Sequence, residues 1–286
     1  MLPWISDLNP TRDSSTQSAQ PELLLSVVIT TFNRADLASE CLRRIRSVFG
    51  PMVEVVLADD CSDAPQVAIL RSLVEADGER TILTSTGSTS GLGANINRGF
   101  AACSRPFVLW VQDDFFLIER GSAELVFRAV TLLNRRSDID IIRLHVPYRL
   151  PVVDTISLGK GRTLHLYPRS LVRSLSSFSL IYSDNPHLRR RSLNGRLGPY
   201  LERPGHGCTE IEYSFRSFRA GVRIAGVPSG CSLFQHVGDL RSTRVGSTQQ
   251  SASPFRRIGG RAKLLVAYLL YCGSSRFPEW MYRDRS

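Results

Sequence analysis

The chain has 286 residues, a hydrophobic content of 42% and a formal net charge of +10, enough for one large or two small domains with a substantial core. No window holds the ~18 consecutive apolar residues of a membrane-spanning helix, and none of the six cysteines stand at C-x-x-C spacing, which excludes a spanning helix and argues against a zinc ribbon or redox pair. The positive balance favours an anionic partner: nucleic acid, a nucleotide or an acidic membrane surface.

Residues 1–21, rich in Ser, Thr, Gln, Pro and Asp, read as a flexible tail without the basic start and apolar core of a secretory signal. The β-branched run Leu23–Thr31 predicts a strand, and Phe32-Asn33-Arg34 turns the chain. Leu37, Cys41, Ile45 and Val48 then recur at helical spacing until Gly50-Pro51. Val53–Ala58 predicts a second strand ending in Asp59-Asp60-Cys61-Ser62-Asp63, with a helix to about Ala76 and a short strand at Thr81–Thr84. The loop TSTGSTSGLG leads into a helix with Leu92, Ile96, Phe100 and Cys103 on one face. Phe107–Val111 is an unbroken apolar run, as in a strand buried on both faces, and it runs into Gln112-Asp113-Asp114. Four strands alternating with helices predict an α/β fold with a mostly parallel central sheet and helices on both faces.

The second half is less regular. Ser122–Asn134 predicts a helix and Ile139–Val146 a strand; 147–177 receive no assignment, and Phe178–Tyr182 is a candidate strand. Thr209 and Glu212 have capping-box spacing, which starts a helix at Thr209 and gives Glu212 a structural task. Gly221 stops that helix, and Val222–Val227 and Ser232–His236 predict short strands. One domain is expected over 22–242, divided into 22–116 and 117–242. A polar linker and basic helical segment follow over 243–286, with Arg256, Arg257, Arg261 and Lys263 before the apolar stretch 264–272. That segment is read as a helix packed on the domain, with an anionic membrane surface as the alternative.

Strand carboxyl ends are where open α/β sheets bind ligands. Thr30/Asn33, Asp59/Asp60, the Gly87–Asn97 loop and Asp113/Asp114 all fall at such ends. Two readings stand for the last pair: ligands of a divalent metal against a phosphorylated substrate, or ordinary turn and cap acids. Gly91-Leu92-Gly93 is neither a Walker loop nor a full dinucleotide fingerprint. The basic residues are dispersed and lack interleaved aromatics, so no specific nucleic-acid module is expected.

The segments LSVVITTFNR, VVLADDCSD, GLGANINRGF, FVLWVQDDF, TEIEYSFRSFRAGVRI and FQHVGDLRS, in that order over about 24–242, resemble a family 2 glycosyltransferase with the GT-A fold. The resemblance implies inverting transfer of a sugar from a nucleotide-diphosphate donor to an acceptor hydroxyl. It implies a donor site at Thr30, Phe32, Asn33, Asp60, Asn97 and Asp113, with Phe32 in place of the commoner Tyr. It implies Mn²⁺ or Mg²⁺ on Asp114 and His236, the latter within His236-x-Gly238-x-x-x-Ser242. Glu210 matches the catalytic base position, where Thr209-Glu210 replaces the usual acid pair, and Glu212 is its rival. Arg189, Arg190, Arg191 and His206 become acceptor or diphosphate candidates. Glycan, lipid-linked or small-molecule acceptors follow, in the cytoplasm or at the inner membrane face. A polyprenyl-phosphate sugar synthase on the same fold, a sugar nucleotidyltransferase and a non-catalytic nucleotide- or RNA-binding protein are the alternatives.

Overall fold

The computed structural model describes residues 24–118, 121–169, 181–202, 206–238 and 265–274. In chain order the elements are β1 (Leu25–Thr31), α1 (Ala35–Phe49), β2 (Glu54–Asp59), α2 (Ala64–Asp77), β3 (Thr81–Thr84), α3 (Gly91–Ala102), β4 (Phe107–Gln112), β5 (Phe115–Leu117) and α4 (Ser122–Arg135). There follow β6 (Ile141–Arg143), β7 (Asp154–Gly159), β8 (Arg162–Leu166), β9 (His187–Arg190), α5 (Leu193–Leu197), α6 (His206–Arg219), β10 (Ile224–Gly226) and β11 (Phe234–His236). The main sheet runs β3-β2-β1-β4-β9-β6-β10-β8-β7, and β11 pairs with β5 in a separate two-stranded ribbon. β3, β2, β1 and β4 are parallel, whereas β9 runs antiparallel between β4 and β6.

The continuous apolar runs have a physical reason. Successive strand residues face opposite sides of the sheet, and both sides are covered. Val27, Ile29, Leu109 and Val111 enter one core with Ile45 and Phe49 of α1 and Phe127 of α4. Val28, Val108 and Trp110 enter the other with Ile96 and Phe100 of α3 and Tyr213 of α6.

The second half differs from the sequence reading in its strands. The unassigned stretch contains the β7–β8 hairpin, which turns through Lys160 at φ 50 and two glycines also at positive φ. Of the candidate strand Phe178–Tyr182, residues 178–180 lie outside the described ones, and Ile181 and Tyr182 are not in a strand. The strand that fills this place is β9, built from the basic run His187-Leu188-Arg189-Arg190. Its alternation of charge hides a buried element: His187, Leu188 and Arg189 are each 0% exposed.

His187 stacks edge-on against Trp110 and Tyr182 and donates its Nδ1–H to the Asn185 carbonyl at 2.9 Å. Burial, reinforced by the Arg189 charge, pushes its pKa down to about 3 from 6.5. The imidazole is therefore neutral in the fold, while the unfolded chain gains its proton near 6.5. Its stabilisation is complete above that value and drains as pH falls towards 3. Between pH 6.5 and 5, urea unfolding should lose about 1.4 kcal/mol per pH unit from this residue. His187→Gln should flatten that slope; an unchanged slope would place the acid sensitivity elsewhere.

The helix at 265–274 packs on α6. Tyr268 meets Phe215 and Phe218 edge-on at 5.3 and 5.7 Å, with Ala267 and Tyr271 also buried there. Among the described residues no helix is long and apolar enough to cross a membrane.

Candidate active site

The parallel register sets the site. Thr31 pairs with Asp59 across β1–β2, and Thr30 with Gln112 across β1–β4, so the strands end level. The ladders continue one step further, with Asp60 N–H donating to Thr31 O at 3.1 Å and Asp113 N–H to Thr30 O at 3.0 Å. Four carboxylates, Asp59, Asp60, Asp113 and Asp114, therefore stand along one edge although more than fifty residues separate the two pairs.

Asp113 is fully buried and Asp114 7% exposed. Arg34, from the turn after β1, bridges them. Its Nη2 lies 2.5 Å from Asp113 Oδ1, its Nε 3.1 Å from Asp113 Oδ2 and its Nη1 3.1 Å from Asp114 Oδ2. The Thr31 hydroxyl donates to Asp113 Oδ2 at 2.7 Å. Burial raises the Asp113 pKa to about 7, against the pull of Arg34 and Thr31. Burial also acts on Asp114, but His236 and Arg34 together outweigh it and hold that carboxyl below its ordinary value.

His236 arrives through the β5–β11 ribbon, where it pairs with Phe115. Its ring stacks on Phe115 at 4.5 Å, and Nε2 stands 3.6 Å from Asp114 Oδ2. Gly238 closes over the same carboxylate; a Cβ there would come within 2.2 Å of Asp114 Oδ2, so no side chain fits. Asp114 Oδ1 is buried with no hydrogen-bond partner among the described residues. An orphaned carboxylate oxygen, an imidazole and a cradle of backbone fit a hard divalent ion that takes its remaining ligands from substrate and water. Among the described residues no third His, Cys, Asp or Glu completes an all-protein cage.

The donor-side candidates separate. Thr30 turns its hydroxyl into the sheet, accepting from Trp110 Nε1 at 3.3 Å, and its neighbour Thr31 faces the acids instead. Phe32 is half-buried in the turn beside Asn33. Asn33 has φ 51, a conformation Asn tolerates, and ties this turn to the next: its N–H donates to Ser62 Oγ and its Oδ1 accepts from Asp63 N–H, both at 2.7 Å. Asp60 accepts the N–H groups of Ser90 and Gly91 at 3.0 and 2.9 Å, anchoring the amino end of α3. Any contact from Asp60 to a base must use its remaining lone pairs. Asn97 is not at the edge contact: its amide clamps the 200–202 segment, bonding Tyr200 O, Tyr200 N and Glu202 at 2.8–2.9 Å. Gly93 permits that close approach, since a Cβ would meet Leu201 O at 2.1 Å.

On the acceptor side, α6 begins at His206, so Thr209 lies inside the first turn and the expected capping box does not form. Glu212 is 6% exposed and paired with Arg216, which also donates to Leu197 O and Pro199 O at 2.7 Å. Glu210 is half-buried and accepts the Asp184 N–H at 3.1 Å. The Gln112 side chain donates to the Asp184 carbonyl at 3.2 Å, so the backbone of one residue, Asp184, joins the end of β4 to Glu210. The His206 side chain lies outside the described residues, as does Ser242.

The arginine run is not brought to this edge. Because β9 is antiparallel, Arg190 pairs with Phe107 at the opposite end of β4. Arg190 Nη2 donates to Leu133 O and, at 3.0 Å, to Arg136 O; Arg191 donates to Cys103 O at 2.6 Å. Arg189 is enclosed by Phe100, Tyr200 and Tyr213. None of the three can clamp a diphosphate at the acid cluster. Sequence reasoning missed Arg34, Thr31 and Gln112. Period-two alternation from Asp113's partner strand was the available signal for Thr31; nothing local marks Arg34.

Residues 26–129 match the family model described as glycosyl transferase family 2. A GalNAc(5)-diNAcBac-PP-undecaprenol beta-1,3-glucosyltransferase from Campylobacter jejuni is 26% identical over 105 residues, covering 37% of this chain and 34% of that protein. The O-antigen biosynthesis protein RfbC of Myxococcus xanthus is 32% identical over 128 residues, 43% of this chain and 10% of that one. The matches thus span about a third of one curated relative's length and a tenth of the other's. Among solved structures, S. aureus TarS with UDP-GlcNAc superposes with a TM-score of 0.55 at 16% identity, covering 85% of this chain and 66% of that one. The mannosyltransferase PcManGT from Pyrobaculum calidifontis, with GDP-Man and Mn²⁺, gives 0.55 at 16% identity, covering 97% and 72%. The shared fold is GT-A.

Proposed function

We propose, from the premise that residues 26–129 belong to glycosyl transferase family 2, that the protein transfers a sugar from a nucleotide-diphosphate donor to an acceptor hydroxyl, with inversion. The observation that carries this reading is the sheet edge itself. Asp113 and Asp114 share it with His236, and Glu210 is tied to the same strand end through Gln112 and Asp184.

Asp114 and His236 would hold Mn²⁺ or Mg²⁺, and Asp113 with Thr31 fixes the neighbouring wall. When bound, the ion would offset charge on the diphosphate as the anomeric C–O bond breaks. Glu210 takes the acceptor hydroxyl's proton during in-line attack. Its hydrogen bond from Asp184 N–H orients the carboxylate. The base side of the donor falls to Phe32 and Asp60. The 22–116 half would bind donor and the 117–242 half acceptor. A glycan or lipid-linked saccharide is the acceptor class we favour, because the C. jejuni relative is described as acting on an undecaprenol-linked one. A cytoplasmic location fits six free cysteines, and contact with the inner membrane face stays the alternative.

A binding screen of nucleotide sugars with Mn²⁺, Mg²⁺ and EDTA tests this. One nucleotide diphosphate should bind with metal and be released by EDTA. Asp114→Ala should abolish that metal-dependent binding while circular dichroism stays native. Binding of no nucleotide diphosphate with either metal would sink the proposal.

A further inference from the structure

An ion shared by Asp114 and His236 would use the carboxylate oxygen that faces the imidazole, and Arg34 contacts that same oxygen, leaving the orphaned Oδ1 as the carboxylate's second arm. Asp114 Oδ2 is the atom that faces His236 Nε2 at 3.6 Å, and it is the atom Arg34 Nη1 meets at 3.1 Å. The guanidinium does not hold its two acids equally. It grips Asp113 with two contacts, Nη2–Oδ1 at 2.5 Å and Nε–Oδ2 at 3.1 Å, but Asp114 with one. The Asp113 side chain is sealed at 0% exposure, whereas those of Arg34 and Asp114 reach solvent at 14% and 10%. The weaker contact is thus on the open side.

We propose that Arg34 is a displaceable counter-ion: in the free protein Nη1 occupies Asp114 Oδ2, and a divalent cation binds only when that contact opens while the fork on Asp113 stays closed. The inference rests on the metal reading above. Its physical basis is that two adjacent buried carboxylates require a nearby positive charge. A guanidinium, weakly hydrated, supplies it at a smaller desolvation cost than a hydrated divalent ion, and then repels a second cation at contact distance. The freed Nη1 becomes a donor for a diphosphate oxygen. Cation and nucleotide diphosphate should therefore each tighten the other's binding, because each removes part of the cost of opening the contact.

The test uses the whole protein and Mn²⁺ alone, with free Mn²⁺ followed by electron paramagnetic resonance and stability by thermal melting. Arg34→Met, which keeps the bulk and removes the charge, should bind Mn²⁺ at least about tenfold more tightly than wild type, and its Tm should rise more on Mn²⁺ addition. Arg34→Lys should bind like wild type. Asp114→Asn in the Arg34→Met background should remove the gain. Should Arg34→Met prove too unstable to purify, Arg34→Gln replaces it. Equal or weaker Mn²⁺ affinity in the uncharged variants, with wild type binding measurably in the presence of UDP or GDP, overturns the inference alone. No Mn²⁺ binding by any form, with or without nucleotide, overturns the metal reading and this inference together.

Discussion

Glu210→Gln should lower turnover by roughly 10²–10⁴-fold, the range a positioned general base contributes, while nucleotide-diphosphate affinity stays at the wild-type value. The substitution is a clean one here. The Asp184 N–H that Glu210 accepts at 3.1 Å can be accepted equally by an amide oxygen, so the Gln112–Asp184 link and the start of α6 need not move. Only the capacity to take a proton is lost. Single-turnover kinetics with a saturating donor would read the effect on the chemical step. Retained turnover would point to an acceptor that is already ionised, such as a polyprenyl phosphate, and sink the hydroxyl-acceptor reading. Glu212 cannot fill the gap: it is buried and held by Arg216 within the same helix.

Arg189→Ala should destabilise the fold by about 3–5 kcal/mol, the range for emptying a large buried site. Arg189 is a cation in the core whose hydrogen-bond partners are neutral. Nη1 donates to the Tyr200 hydroxyl at 2.9 Å and Nη2 to Asn194 Oδ1 at 2.6 Å. Its guanidinium carbon sits 5.0 and 5.5 Å from the ring centres of Phe100 and Tyr213. Tyr213 stacks on Tyr200 at 3.9 Å, and Tyr200 shares a 2.7 Å hydrogen bond with Tyr182. Alanine would leave a cavity, with the Tyr200 hydroxyl and the Asn194 amide oxygen short of a donor. Arg189→Met should recover a good part of the loss, because filling the volume leaves no opposite charge stranded. Chemical denaturation of the two variants separates packing from charge. Equal losses would assign the whole effect to the cation, and no loss in either would remove Arg189 from the list of core residues.

The first four strands were legible because parallel strands covered on both faces must be apolar at every position, and LLLSVVITT, VVLA and FVLWV satisfy this locally. The position of Asp59, Asp60, Asp113 and Asp114 followed from the same pattern, since the acids stand where each apolar run stops. The β7–β8 hairpin was not legible: most of its residues are half-buried or exposed, so no periodic apolar signal remains. Nor was the true start of α6, because no backbone register is visible in the residues before Thr209.

Sequence by itself determined the alternating half of the sheet, the acid-bearing edge and the place of Glu210 and His236 as candidates. Only the tertiary structure decided what each of these side chains faces. Arg189 and Arg190 read as acceptor or diphosphate candidates, yet antiparallel insertion of His187-Leu188-Arg189-Arg190 between β4 and β6 buries three of these four residues. It carries Arg190 away from the acids, while Arg34, a single arginine in a short turn, lands on both of them. Charge on a chain says nothing about its partner when that partner is some 80 residues away, as Arg34 and Asp113 are. Burial and pairing are properties of the assembled sheet, and there the requirement that two adjacent buried carboxylates find a cation selects Arg34.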